Sequence, residues 1–203
     1  MFIIGLTGGI ATGKSTVSEM LGQLGAVVID GDRVAHEVMQ PGESAYQKVV
    51  AHFGSEILQP NGEIDRGKLG DLIFNNPELR FTLNSIVHPV VEKAMRSTTQ
   101  QLPLDTEIVV WDIPLLIETG MNHQVDEVWL VWVDEETQLE RLMQRNRIPA
   151  EEALKRIRSQ MSIFEKIKKS DRLIDNRGSF EETRRITTEF YHHLRRIIQS
   201  KIL

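Results

Sequence analysis

The chain has 203 residues, no cysteine and a formal net charge of −5. These values exclude disulfides, thiol catalysis, thiolate zinc sites and iron–sulfur clusters, and they weigh against a nucleic-acid coat or a membrane-surface protein. The length fits one compact domain, or a core with one or two small insertions.

Strand patterning starts at once with Phe2-Ile3-Ile4-Gly5-Leu6-Thr7. No apolar run reaches the roughly 18 residues of a membrane span, and no room is left for a signal peptide. The expectation is a soluble cytoplasmic protein that binds neither nucleic acid nor membrane, with a monomer plausible.

The first strand runs directly into Gly8-Gly9-Ile10-Ala11-Thr12-Gly13-Lys14-Ser15, followed by Thr16. A Gly-x-x-x-x-Gly-Lys-Ser pattern between a buried strand and a helix is a phosphate-binding loop. Gly8 and Gly13 stand where a Cβ would obstruct the turn. Successive amides backed by a helix N-terminus form a positive cradle for the phosphates of a nucleoside triphosphate. Lys14 adds a point charge, and the Ser15 hydroxyl is the expected Mg²⁺ ligand, with Asp112 or Asp32 joining through water.

Residues 14–24 read as a helix with Val17, Met20, Leu21 and Leu24 on one stripe, ended by Gly25. The apolar strand 26–29 then stops at Asp30-Gly31-Asp32. Carboxylates at the carboxyl end of a strand face the ligand edge of an open α/β sheet. Asp32 is therefore the candidate for orienting an acceptor hydroxyl, and Asp30 the candidate helix cap.

The interval 34–105 is too long for a simple crossover and shows helical stretches at about 43–53, 65–75 and 77–101. Turn signals lie at Pro41-Gly42, Pro60-Asn61-Gly62 and Asn75-Asn76-Pro77. It reads as a helical insertion, and it contains His88 before Pro89, a residue that is either structural or a ligand contact.

Apolar strands follow at 108–111, ending at Asp112, and at 128–133, ending at Asp134, with a weak one at 172–174. Continuous apolar runs of this kind belong to strands covered on both faces. The fold class is thus α/β, a doubly wound parallel sheet with a helical insertion and a helical lid. Trp111, Trp129 and Trp132 lie on these strands and are expected in the core.

The stretch 136–168 is helical, with a break near Arg147-Ile148-Pro149. Residues 141–172 hold ten basic and four acidic side chains on an otherwise acidic chain, which points to a local anion site. Arg141 and Arg145 lie one turn apart on this basic lid, and either is placed to offset charge on a triphosphate. A final helix over 179–201 is expected to pack Phe180, Ile186, Phe190, Leu194 and Ile197 on one side. The parts are then a core of 1–33, 106–135 and 171–203, an acceptor-binding insertion of 34–105, and a lid of 136–170. On these residues alone, a small-molecule kinase for a nucleoside, nucleotide or sugar acid and a nucleotide-gated switch both stay open.

In combination the motifs are more specific. Leu6-Thr7-Gly8-Gly9-Ile10, Gly13-Lys14-Ser15-Thr16, Ile29-Asp30-Gly31-Asp32, Pro41-Gly42, His88-Pro89 and Pro114-Leu115-Leu116-Ile117-Glu118 are followed by Gln138-Leu139-Glu140-Arg141, Gln144-Arg145 and Ile174-Asp175-Asn176. Over nearly its whole length the chain resembles the dephospho-CoA kinase family. The resemblance implies ATP-dependent phosphorylation of the ribose 3′-hydroxyl of dephospho-CoA, with ATP as co-substrate and Mg²⁺ as cofactor. It implies Asp32 as base, Lys14 and Arg141 as phosphate-holding catalytic residues, and Asn176 near the adenine of ATP. Pro114, Leu115, Glu118 and His88 would line the acceptor site. Two departures are Ala11-Thr12 where the family usually has Gly-Ser, and Gly31 where it usually has Ala. Ala11 is expected to restrict the loop to ordinary backbone angles.

Overall fold

A computed structural model describes residues 1–74 and 76–200. Asn75 of one expected turn and residue 201 of the expected last helix lie outside these. Two compact units emerge, Met1–Ile29 with Pro103–Leu203, and Asp30–Leu102.

The first unit is built on a five-stranded parallel sheet of order β2-β3-β1-β4-β5. Its strands are β1 (Phe2–Gly8), β2 (Val27–Asp30), β3 (Ile108–Asp112), β4 (Glu127–Trp132) and β5 (Arg172–Asp175). The central strand β1 pairs with β3 through Leu6 opposite Asp112 and with β4 through Gly8 opposite Val131. The loop after β1 therefore emerges at the middle of the sheet's carboxyl edge, where ligands of open α/β sheets bind. Strand β5 continues to Asp175, firmer than its short apolar run implied.

One face of the sheet is covered by α1 (Lys14–Gln23) and α9 (Phe180–Ser200). Val17 and Leu21 of α1 join Ile4, Leu6, Ile108, Val110, Trp129, Val131 and Ile174 of the strands, with Tyr191 and Leu194 of α9. Burial of such side chains contributes about 1.5–3 kcal/mol each before the opposing chain entropy. The expected stripe on α9 holds at Leu194, which is core, and at Ile186 and Phe190, which pack against it, and needs correction at Phe180. Thr183, Thr187, Tyr191 and Leu194 are its buried residues, while Phe180 is 56% exposed. The threonines pass as core because their hydroxyls are satisfied, Thr187 donating to the Thr183 carbonyl and Thr183 to Asn176 Oδ1. Trp111 and Trp129 are core residues as expected, but Trp132 sits half-buried at the strand end beneath the Arg177 guanidinium.

Three helices follow β4: α6 (Glu135–Asn146), α7 (Ala150–Arg158) and α8 (Ile163–Ile167). The break after α6 falls at Arg147, which adopts a left-handed φ of 54°. Leu142, Ala153 and Ile157 form a small separate core between α6 and α7.

The second unit contains α2 (Gly31–Glu37), α3 (Ser44–Phe53), α4 (Arg66–Phe74) and α5 (Pro77–Gln100). Its helix starts are set locally: Asp30 Oδ1 accepts the Asp32 and Arg33 amides, and Asn76 Oδ1 accepts those of Glu78 and Leu79. Val49, Ile57, Val87, Val91 and Met95 are among its buried residues. Among the described residues no helix is long and apolar enough to cross a membrane.

Candidate active site

The loop between β1 and α1 is fixed by close contacts. A Cβ on Gly8 would lie 2.6 Å from Thr12 Oγ1 and 2.9 Å from the Val131 carbonyl oxygen, so the backbone passes where only glycine fits. At Gly9 the obstacle would be Gln138 Nε2, at 2.6 Å. Gly13 has a φ of 85° and abuts the Asn176 amide. Residues 9–12 make a turn in which the Gly9 carbonyl accepts the Thr12 amide and the Thr12 hydroxyl. Ala11 sits inside this turn with a φ of 59°, contrary to the ordinary angles its Cβ implied. The surrounding contacts outweigh a local cost of roughly 1–2 kcal/mol for a non-glycine residue there.

Helix α1 begins at Lys14 with no side-chain cap and no acidic residue in its first turn. No capping side chain or first-turn carboxylate therefore offsets the partial positive charge of this helix end. By contrast, α6 starts under the Asp134 carboxylate and α8 under a Ser162–Glu165 capping box. Ser15 is exposed at this end, and Thr16 is half-buried with its amide on the Gly13 carbonyl.

Charged side chains converge on the same place. Lys14 Nζ pairs with Asp112 at the end of β3, both mostly buried. Arg141 Nη2 donates to the Asn176 carbonyl at 2.9 Å, and a Cβ placed on Gly13 would lie 4.0 Å from its Nη1. Arg145 instead turns to Asn146 and stays exposed. Asn176 is a strut: Nδ2 donates to the Thr12 carbonyl at 2.7 Å, and Oδ1 accepts from the Thr183 hydroxyl at 2.7 Å. Beside the strut, Arg177 grips Asp175 through Nε and Nη2 and lies 4.3 Å above the Trp132 ring. The guanidinium hydrogen bonds hold the Asp175 carboxyl below the usual carboxylate range. Hydrogen bonds from Thr137 do the same for Asp134.

The 114–118 segment is anchored rather than loose. The Pro114 carbonyl accepts from the Thr7 hydroxyl at 2.9 Å and from Lys166 Nζ at 3.3 Å. Lys166 is fully buried and pairs with Glu118 at 2.8 Å, while Leu115 is exposed. Glu118 Oε1 also accepts the Met161 amide at 3.3 Å. Gly9 of the loop also borders a cavity of about 390 Å³ lined by Trp132, Gln138, Gln160, Phe164 and Lys166, among others.

The sequence-predicted residues thus divide. Gly8, Gly9, Ala11 to Thr16, Asp112, Pro114, Leu115, Glu118, Arg141 and Asn176 all belong to the sheet unit. Asp32 and His88 belong to the helical unit, Asp32 exposed in the first turn of α2 and His88 half-buried on α5. Burial pushes the His88 pKa down, keeping the imidazole neutral near pH 7. Four contributors escaped sequence reasoning: Gln160, Lys166, Arg177 and Thr183. Gln138 was visible only as part of a motif, three residues before Arg141 and so on the same helix face.

The geometry narrows the chemistry to handling a phosphate chain, and comparison with known proteins decides the family. A profile described as dephospho-CoA kinase matches residues 2–182. The chain belongs to the dephospho-CoA kinase family. It is 53% identical over 183 residues to the dephospho-CoA kinase of Carboxydothermus hydrogenoformans, covering 90% of this chain and 89% of that one. Identity to the Geobacillus kaustophilus dephospho-CoA kinase is 54%, covering 90% and 91%. The solved structure of a dephospho-CoA kinase from Campylobacter jejuni superposes with a TM-score of 0.72 at 30% identity, covering 95% and 96% of the two chains. As a member of this family the chain is a phosphotransferase, and the loop, Lys14 and Arg141 acquire a chemical context.

Proposed function

We propose that the chain transfers the γ-phosphoryl group of ATP to the ribose 3′-hydroxyl of dephospho-CoA, giving CoA and ADP. The observation that carries this reading is the capless N-terminus of α1, with Lys14 and Arg141 beside it, in a chain of this family. Phosphoryl transfer asks the protein for alignment and for positive charge around the migrating group, and those are what this loop supplies.

The residues take these roles. Amides of the Gly8–Thr16 loop receive the β- and γ-phosphates, and Lys14 leaves part of its pairing with Asp112 to meet their oxygens. Arg141 offsets charge that develops as the bond from the γ-phosphorus to the bridging oxygen breaks. Asn176 keeps the loop and the adenine side in register. Asp32 accepts the proton of the 3′-hydroxyl as the new oxygen–phosphorus bond forms, and ADP departs. The helical unit and His88 serve the acceptor, the 114–118 segment walls it, and residues 136–170 act as a lid. Mg²⁺ fits this donor set. The described residues contain no cluster of three or more acidic or histidine side chains able to cage an ion. Such a cage is not needed, because Mg²⁺ usually keeps several waters and takes one or two protein ligands plus phosphate oxygens. Ser15 would supply its hydroxyl and Asp112 a carboxylate through water. When bound, the ion would neutralise charge on the phosphates. The reading is of a cytoplasmic enzyme.

The test is acceptor selectivity. ADP release should depend on dephospho-CoA and should fall to background when adenosine, a nucleoside monophosphate or a sugar acid replaces it. ADP release indifferent to the acceptor would overturn the reading.

A further inference from the structure

The tip of the phosphate loop is held by the helical segment after β4. Ile10 donates its amide to Gln160 Oε1 at 2.8 Å, and its carbonyl accepts from Gln138 Nε2 at 2.9 Å. Two glutamines therefore clamp one residue through its amide and its carbonyl, from 150 and 128 residues away in sequence. Gln138 is buried, and the Ile10 and Ala11 side chains pack against the Leu142, Ala153 and Ile157 cluster of α6 and α7. The next residue, Ala11, holds the left-handed φ of 59°.

These facts belong together. A non-glycine residue keeps such a backbone only where its surroundings over-determine it. The Ile10 amide is also turned onto Gln160, so the phosphate-facing amides are those further along the loop. Without the clamp, the 9–12 turn would relax toward ordinary angles at Ala11, and the cradle behind Gly13 would lose its shape. We propose that Gln160 is a positioning residue for ATP: through Ile10, and with Gln138, it holds the phosphate loop in the strained conformation that binds the triphosphate. Gln160 touches neither substrate nor reacting atoms in this account. The inference rests on the reading of this loop as the ATP site.

The experiment combines equilibrium ATP binding, measured without acceptor, with steady-state kinetics and hydrogen exchange at the Ile10 amide. Gln160→Leu should weaken ATP binding and raise the KM for ATP about fivefold to tenfold, the worth of one hydrogen bond, with a smaller change in kcat. Gln160→Glu, which keeps an acceptor oxygen for Ile10, should stay close to wild type. Ala11→Gly should restore much of the affinity lost in Gln160→Leu, because glycine adopts the left-handed angle without help. The Ile10 amide should exchange at least about fivefold faster in Gln160→Leu than in wild type, the same hydrogen bond being lost. Should the leucine variant fold poorly, Gln160→Asn, one methylene too short to reach, must show the same pattern.

Unchanged ATP affinity and unchanged Ile10 exchange in both shortened and apolar variants would overturn the proposal. So would an affinity loss that neither Gln160→Glu nor Ala11→Gly moderates. Failure of the wild type to phosphorylate dephospho-CoA is a separate result: it removes the acceptor assignment and leaves the ATP-binding comparison intact.

Discussion

The two units hold their functional residues by different means. In the sheet unit the contacts span long stretches of chain: Asn176 to Thr12 across 164 residues, Gln160 to Ile10 across 150, Lys14 to Asp112 across 98. In the helical unit they are mostly short. Asp30 caps the turn that carries Asp32 two residues later, Asn76 caps α5, and the Gln59–Glu63 turn closes on itself. The phosphate loop is thus held by contacts drawn from across the sheet unit, Asn176, Gln160 and Gln138 among them. Asp32 stands in the turn that the Asp30 cap starts.

The largest effect should come from Asp32→Asn, which removes the proposed base and leaves the sheet unit intact. Turnover should fall by about 10²–10⁴-fold, the range for losing a positioned acid–base group, with ATP affinity near wild type. Steady-state kinetics with direct ATP titration checks both, and an equal loss in both quantities would erase the distinction between the units. Lys14→Ala should lower kcat/KM by about 10²–10³-fold, as for loss of a preorganised group at developing charge. A rise in KM alone would mean that Lys14 only holds the ground state.

Stability sharpens the same contrast. Lys166→Met breaks a buried pair and should cost the sheet unit about 3 kcal/mol in denaturant unfolding, while Lys166→Met with Glu118→Leu should recover most of it. No recovery would show that Lys166 has a role beyond the pair.

The smallest expected effect lies in the helical unit. The His88 pKa is depressed when folded, so the unfolded chain binds the proton more readily. Stability is therefore fully present above about pH 6.5 and declines as pH falls toward and through the folded value. His88→Gln should flatten this slope in unfolding measured from pH 7.5 to 5, and an unchanged slope would dismiss His88 as its source.

Much of the sheet unit was legible in the chain because its signals are strong and local. Continuous apolar runs named the strands, and the Gly-Lys-Ser pattern fixed the turn after β1. The capping carboxylate at Asp30 was readable for the same reason. What stayed hidden depends on contacts that periodicity cannot see. Thr183 and Thr187 look polar yet lie in the core, since each hydroxyl finds an acceptor. Tyr191 displaced Phe180 from the expected stripe because the buried face runs 183, 187, 191, 194. The left-handed Ala11 could not be guessed, because the clamp that sustains it comes from Gln138 and Gln160. The basic character of residues 141–172 pointed to anions, but only Arg141 reaches the loop by the described contacts; Lys166 is consumed by Glu118 and Arg172 by Glu127.

The central claim is that a phosphoryl group leaves this loop for one particular alcohol. ³¹P NMR of the purified protein with ATP, Mg²⁺ and dephospho-CoA reads that event directly. The account predicts a new phosphomonoester resonance on the ribose 3′-oxygen, growing in step with ADP. ATP consumed to ADP and inorganic phosphate, with dephospho-CoA unchanged, would contradict it.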